Sequence, residues 1–181
     1  MCVFTINKAL FKMRAYQKKR IDEIIKLMIY EILLTLVIIQ VGLTAGLLFI
    51  FSIAVNPGLA RLNEEEYYRA MKFINQVILN PIFFIVFIGP IITMPLVTYL
   101  SRNDSNMFIC TLFSTILYFI GVILITSFKN VPLNNRLEKL NAEEFSGVLL
   151  WYKKPWNFWH NIRTFFGIVS FLILSIGIGV I

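Results

Sequence analysis

The sequence holds one histidine, His160, inside the stretch WNFWHNIRT that runs from Trp156 to Thr164. Trp156, Trp159, His160 and Arg163 follow i, i+3, i+4, i+7 and therefore share one helical face. Gly167 and Ser170 continue that stripe into the last apolar run. Ionisable residues near or inside a membrane bundle are functional candidates. The same residues also suit an interfacial belt, with tryptophans and an arginine anchoring a helix at the membrane boundary. Residue types alone leave site and anchor both open. A lone histidine, with no Cys or carboxylate at ligand spacing, makes no metal site. No Ser-His-acid arrangement is present, and Cys2 and Cys110 are lone thiols that define no disulfide or metal framework.

Further polar candidates punctuate apolar sequence. Gln40 and Thr44 are four apart in the first long apolar window. An amide at that depth needs a partner, either in interhelical packing or at a site. Gly42 and Gly46 form a GxxxG pair that suits close helix packing. Asn75, Gln76 and Asn80 open the second window, and Asn80, just before Pro81, can cap a helix restarting there. NVPLNN (Asn130–Asn135) follows the third window and reads as a loop rich in amide groups. Pro57, Pro81 and Pro155 mark expected breaks, and Pro90 and Pro95 an expected kink.

These residues must be positioned by membrane helices. The chain has 181 residues, 58% of them hydrophobic and only 15% charged. Uncharged windows lie at Ile32–Val55, Phe73–Ser101, Ser105–Phe128 and Thr164–Ile181. A bilayer core of about 30 Å needs roughly 20 apolar helical residues, and no window alternates as a barrel strand would. The fold class that follows is all-α: an integral membrane four-helix bundle. NEEE (Asn63–Glu66) and NAEE (Asn141–Glu144) carry capping-box spacing, which predicts short amphipathic cap helices on one membrane face. Two regions follow, a basic amphipathic segment over 1–31 and the four-helix transmembrane domain over 32–181. Chain parity gathers Asn75, Asn80, Asn130, Asn134 and His160 at the capped face.

The net charge of +7 reflects the basic N-terminal segment, which suits anionic membrane lipid rather than nucleic acid. Lys and Arg divide almost evenly, eight on the side of the termini and nine on the other. The first helix then favours a cytoplasmic N-terminus, and with it a cytoplasmic C-terminus. The first apolar run is too short for a signal peptide.

Four stretches together, GLTAGLLFIFSIAVNPGLARL, AMKFINQVILNPIFF, NVPLNNRLEKL and WNFWHNIRT, resemble the signature blocks of the anthrone oxygenase-like membrane proteins. The resemblance covers about Gly42 to Ser170. It rests on Gly46, Pro57 and Leu59; on Met71, Asn75, Asn80, Pro81 and Phe83; on Asn130, Pro132, Leu133 and Asn134; and on Trp156, Trp159, Arg163 and Thr164. One departure is the order Trp159-His160-Asn161, where the family pattern reads Trp-Asn-His. A one-residue exchange turns a side chain by about 100° around a helix.

The family is mostly bacterial and includes fungal enzymes that oxidise an anthrone to an anthraquinone. The resemblance implies a bacterial inner-membrane protein and a cofactor-independent oxygenase, whose partners are an apolar aromatic and O2. It implies His160 as base, Arg163, Asn130 and Asn134 as oxyanion donors, and Trp156 and Trp159 as the aromatic wall. Asn161, Asn75, Asn80 and Gln40 join the substrate-binding candidates. The alternative is a non-catalytic module that binds a lipid, quinone or protein partner. Four helices without a repeat or a charged midplane residue argue against transport.

Overall fold

The computed structural model of the protein describes residues 2–140 and 146–179. The elements among the described residues are helical, with no strand. Two compact units divide the chain between Thr35 and Leu36. Helix α1 (Cys2–Ile50) is 49 residues long and includes most of the first long apolar window. In the first unit, residues 13–29 are exposed and Lys19 lies 3.9 Å from Glu23.

The second unit completes α1 and continues through a π-turn (Phe51–Val55), α2 (Asn56–Leu59) and α3 (Glu64–Ile78). Helices α4 (Pro81–Phe87), α5 (Pro90–Leu100) and α6 (Ser105–Leu117) follow. Two π-turns (Tyr118–Leu124 and Thr126–Asn130) lead into α7 (Val131–Glu138), and another (Leu149–Lys153) leads into α8 (Lys154–Gly179). Among the described residues, four helical stretches are long and apolar enough to cross a membrane: Met13–Leu59, Pro81–Leu100, Ser105–Glu138 and Leu149–Gly179. The protein is an all-α membrane protein.

Helices α6 and α8 pair extensively. Small residues allow it. Ser114 and Ser170 exchange hydrogen bonds to each other's carbonyls at 2.8 and 2.9 Å. A Cβ on Gly121 would overlap the ring of Phe166. At the hairpin into α6, Asp104 accepts from the backbone N–H groups of Asn106 and Met107.

Helix α3 starts at the expected capping box. The Asn63 side chain accepts from Glu66 N at 2.9 Å, and Asn63 N donates to the Glu66 carboxylate at 3.2 Å. Its inner face (Tyr67, Tyr68 and Met71) packs with Leu137, Val148, Tyr152 and Trp156 in one buried cluster. Burial holds the Tyr67 phenol above the ordinary tyrosine range. The second expected capping box, Asn141–Glu144, lies outside the described residues.

Several proline expectations are corrected. Pro57 and Pro155 do not break their helices, and NVPLNN is not a loop, because α7 continues the third span. Each π-turn ending at Val55, Asn130 and Lys153 stops two residues before a proline: Pro57, Pro132 and Pro155. A proline ring collides with the carbonyl four residues back and removes one N–H. Widening the preceding turn relieves that collision without ending the helix. The wide turns are closed by i→i+5 bonds from Asn56 N to Phe51 O, Val131 N to Thr126 O and Lys154 N to Leu149 O.

The second span is interrupted between α4 and α5. Pro90 offers no N–H, Gly89 N turns to Phe84 O, and Ile91 N turns to Ile88 O. The carbonyls of Ile85, Val86 and Phe87 thus lose their helical donors. Gln40 Nε2 donates to Ile85 O at 2.9 Å, Thr44 Oγ1 to Val86 O at 3.3 Å and Tyr118 OH to Phe87 O at 2.8 Å. An unsatisfied carbonyl in hydrocarbon costs several kcal/mol, so these three side chains stabilise the interruption.

Candidate functional site

A cavity of about 200 Å³ lies within the second unit. Its walls come from the end of α1 (Leu47, Leu48), the first π-turn (Phe51), α3 (Ile74, Asn75), α4 (Phe83, Phe84), the third π-turn (Thr126, Asn130), α7 (Asn134) and α8 (Trp156, His160, Arg163). The lining is mainly apolar, with a few convergent polar groups, as in small-molecule sites.

The polar end is built on α8. Trp156, His160 and Arg163 stand at i, i+4, i+7 and are all buried. The indole of Trp156 and the imidazole of His160 stack 4.8 Å apart at 8°. Arg163 Nη2 lies 2.9 Å from His160 Nδ1, and His160 Nε2 lies 3.0 Å from Leu48 O. Arginine only donates and a carbonyl only accepts. Nδ1 is therefore the bare nitrogen and Nε2 carries the proton. Both ring nitrogens of this neutral histidine are engaged.

Arg163 is 7% exposed. Its Nη1 donates to Thr126 Oγ1 at 3.0 Å, and its Nε is buried without a partner. Among the described residues the ion pairs are Lys19–Glu23 and Arg69–Glu65, so no carboxylate there neutralises Arg163. A guanidinium has five N–H donors, of which the imidazole and the threonine take two. Asn130 contributes a second orphan: its Nδ2 donates to Trp156 O at 3.2 Å, whereas its Oδ1 is buried and unpartnered. Both residues line the cavity, which is thus bordered by a cation and a neutral amide.

A second set of bonds fixes the aromatic wall. Asn134 Oδ1 accepts from Tyr152 OH at 2.9 Å and from Trp156 Nε1 at 2.8 Å. Asn75 Nδ2 donates to Tyr152 OH at 3.3 Å. This chain ties cap helix α3 to α7 and α8, and its last member stacks on His160.

Of the ten residues picked out by sequence, six line the cavity: Asn75, Asn130, Asn134, Trp156, His160 and Arg163. The other four lie elsewhere. Trp159 sits under Lys129, whose Nζ is 4.9 Å from the ring centroid. Asn161 accepts from Ser52 Oγ at 3.1 Å on an exposed edge. Asn80 caps α4 by accepting from Phe83 N at 3.0 Å. Gln40 is spent on Ile85 O and on Thr93, whose hydroxyl donates to Gln40 Oε1 at 2.8 Å. Sequence reasoning missed Thr126, Phe51, Tyr152 and the Leu48 carbonyl. Tyr152 had a signal, because it precedes Trp156 by four residues and extends the α8 stripe backwards. The break expected at Pro155 hid it.

The family model described as anthrone oxygenase matches residues 83–173. The matched region carries Thr126, Asn130, Asn134, Trp156, His160 and Arg163, while the α1 and α3 walls fall before it. No curated protein and no solved structure matches the chain. The family match spans half of the sequence and takes in the polar end of the cavity, and on it the chain belongs to the anthrone oxygenase family.

Proposed function

We propose that the protein is an oxygenase of anthrone- or phenol-like aromatics that needs no cofactor, acting at this cavity in a bacterial inner membrane. The observation that carries this reading is Arg163, a buried guanidinium with unspent donors at a cavity wall and no anionic partner among the described residues. A buried cation without a counter-charge is costly, and a ligand oxyanion would supply the missing partner.

In the proposed reaction the ring oxygen of the substrate meets Arg163. As it draws Nη2 away, His160 Nδ1 becomes free to accept a proton from the ring CH2. The resulting carbanion is delocalised onto that oxygen, where the guanidinium stabilises it. Its carbon bonds to O2, and the peroxide takes up a proton. Loss of the second C–H proton then breaks the O–O bond, leaving a carbonyl and releasing one water. Trp156 and Phe51 hold the ring plane, and Asn130 Oδ1 accepts from a substrate hydroxyl.

The test is oxygen uptake by purified protein with 1,8-dihydroxyanthrone, measured above spontaneous autoxidation. Removing one oxyanion donor costs roughly 10²–10³ in kcat, so Arg163→Ala should fall by that factor. Uptake equal in wild type and Arg163→Ala sinks the oxygenase. A second reading has its own support: both nitrogens of His160 are engaged, which suits a site that only binds. In that case the anthrone quenches Trp156 fluorescence without oxygen uptake, and Arg163→Ala abolishes the quenching.

A further inference from the structure

The cavity is bordered by a buried aromatic cluster at one edge and by exposed apolar side chains at another. On the cap side stand Tyr67, Tyr68, Met71, Leu137, Val148, Tyr152 and Trp156, none more than 4% exposed. At the other edge, cavity-lining residues are open to the surroundings: Leu79 at 62%, Phe84 at 46%, Ile88 and Val131 each at 39%. Phe84 and Ile88 belong to the second membrane span and Val131 to the third. The mouth is therefore an apolar slot between α4 and the start of α7, formed by residues of two stretches apolar enough to cross a membrane.

We propose that this slot is a lateral portal, through which the cavity takes its ligand from the lipid phase. The ligand it fits is an apolar, lipid-dissolved aromatic that carries an oxygen. The ring slides between Phe84, Ile88 and Val131, and the oxygen travels inward to the unspent donors of Arg163. Water is kept from that guanidinium by the aromatic cap, so a soluble anion has no comparable route. The α4 wall of the slot is held where the second span is interrupted, by the bonds from Gln40, Thr44 and Tyr118 to the carbonyls of Ile85, Val86 and Phe87. The inference rests on the cavity being a ligand site, but not on oxygen chemistry taking place there.

The test reads the route directly. In a Cys2→Ser, Cys110→Ser background, Leu47→Cys places one thiol on the cavity wall, and the protein is held in lipid nanodiscs. Two maleimides are compared, one carrying pyrene and one carrying a sulfonated stilbene. The pyrene reagent partitions into the bilayer by burying its apolar surface, so it should label on the order of tenfold faster. Ile88→Trp, which fills the slot from an exposed position, should slow that labelling and leave the sulfonated reagent unaffected. Ile74→Cys on the opposite wall repeats the measurement should Leu47→Cys fold poorly. Equal rates for the two reagents, labelling by neither, or an Ile88→Trp variant labelled at the wild-type rate would each overturn the portal. Because labelling needs no turnover, a protein inactive toward anthrones leaves the portal standing, and an active one whose labelling ignores Ile88→Trp refutes the portal alone.

Discussion

Arg163 is a burden on the fold unless something anionic meets it. Its donors reach only a neutral imidazole and a hydroxyl, and replacing buried ionic groups by apolar residues of similar volume is often neutral or stabilising by about 1–4 kcal/mol. Arg163→Met should therefore keep or raise the thermal midpoint in detergent while abolishing binding of a hydroxyanthrone; loss of both together would assign Arg163 to structure instead. Asn134 behaves in the opposite way. Its Oδ1 receives both Tyr152 OH and Trp156 Nε1, so Asn134→Leu strands two buried donors at about 1–3 kcal/mol each. Calorimetry should show that loss whether or not ligand is present, and an unchanged midpoint would mean that the two donors find other acceptors. At this scale the sequence was legible along α8, where Trp156, His160 and Arg163 meet because helical spacing alone dictates it. Trp159 sits at the edge of the same arc and turns to Lys129 instead. Thr126 and the Leu48 carbonyl could not be read, because only tertiary packing brings them to α8.

Elements were legible where their signals are local. The capping box at Asn63–Glu66 and the helix restart at Asn80-Pro81 need only neighbouring residues, and both form as expected. Prolines misled because a ring in a helix has two remedies, a break or a wider turn, and the choice depends on what the helix packs against. Pro57, Pro132 and Pro155 take the wide turn, whereas Pro90 takes the break. That break is where Gln40 acts. Gln40→Leu leaves Ile85 O unsatisfied and should cost about 1–3 kcal/mol, with ligand affinity retained because Gln40 does not line the cavity. A binding loss larger than the stability loss would return Gln40 to the site. Gly121 in the second π-turn and Gly46 in α1 give a matched glycine test. Gly121→Ala pushes against the Phe166 ring and should destabilise by about 1–3 kcal/mol. Nothing lies within 4 Å of a Cβ at Gly46, so Gly46→Ala should be neutral or gain up to about 1 kcal/mol of helix propensity. Unfolding of both variants by denaturant in mixed micelles measures the difference.

At the scale of the molecule, span number decides which polar groups can meet. Between successive membrane spans the chain must change sides. Arg102–Asp104, joining the second and third, therefore lies opposite the connections that follow the first and third. The cavity draws Asn75, Asn134 and Trp156 from segments on the latter side, which explains why residues so far apart in sequence converge. Parity thus brings Asn75, Asn134 and Trp156 to one end of the bundle, whereas the other walls of the cavity come from packing. The cytoplasmic N-terminus expected from the first helix would put the cap on the non-cytoplasmic side. Single thiols at Asn103→Cys and Lys139→Cys, in a chain carrying Cys2→Ser and Cys110→Ser, make both statements measurable. A membrane-impermeant maleimide applied to intact spheroplasts should label Lys139→Cys and spare Asn103→Cys until the membrane is permeabilised. The reverse pattern keeps the four spans and inverts their orientation, whereas labelling of both from outside breaks the parity on which the convergence of the cavity residues depends.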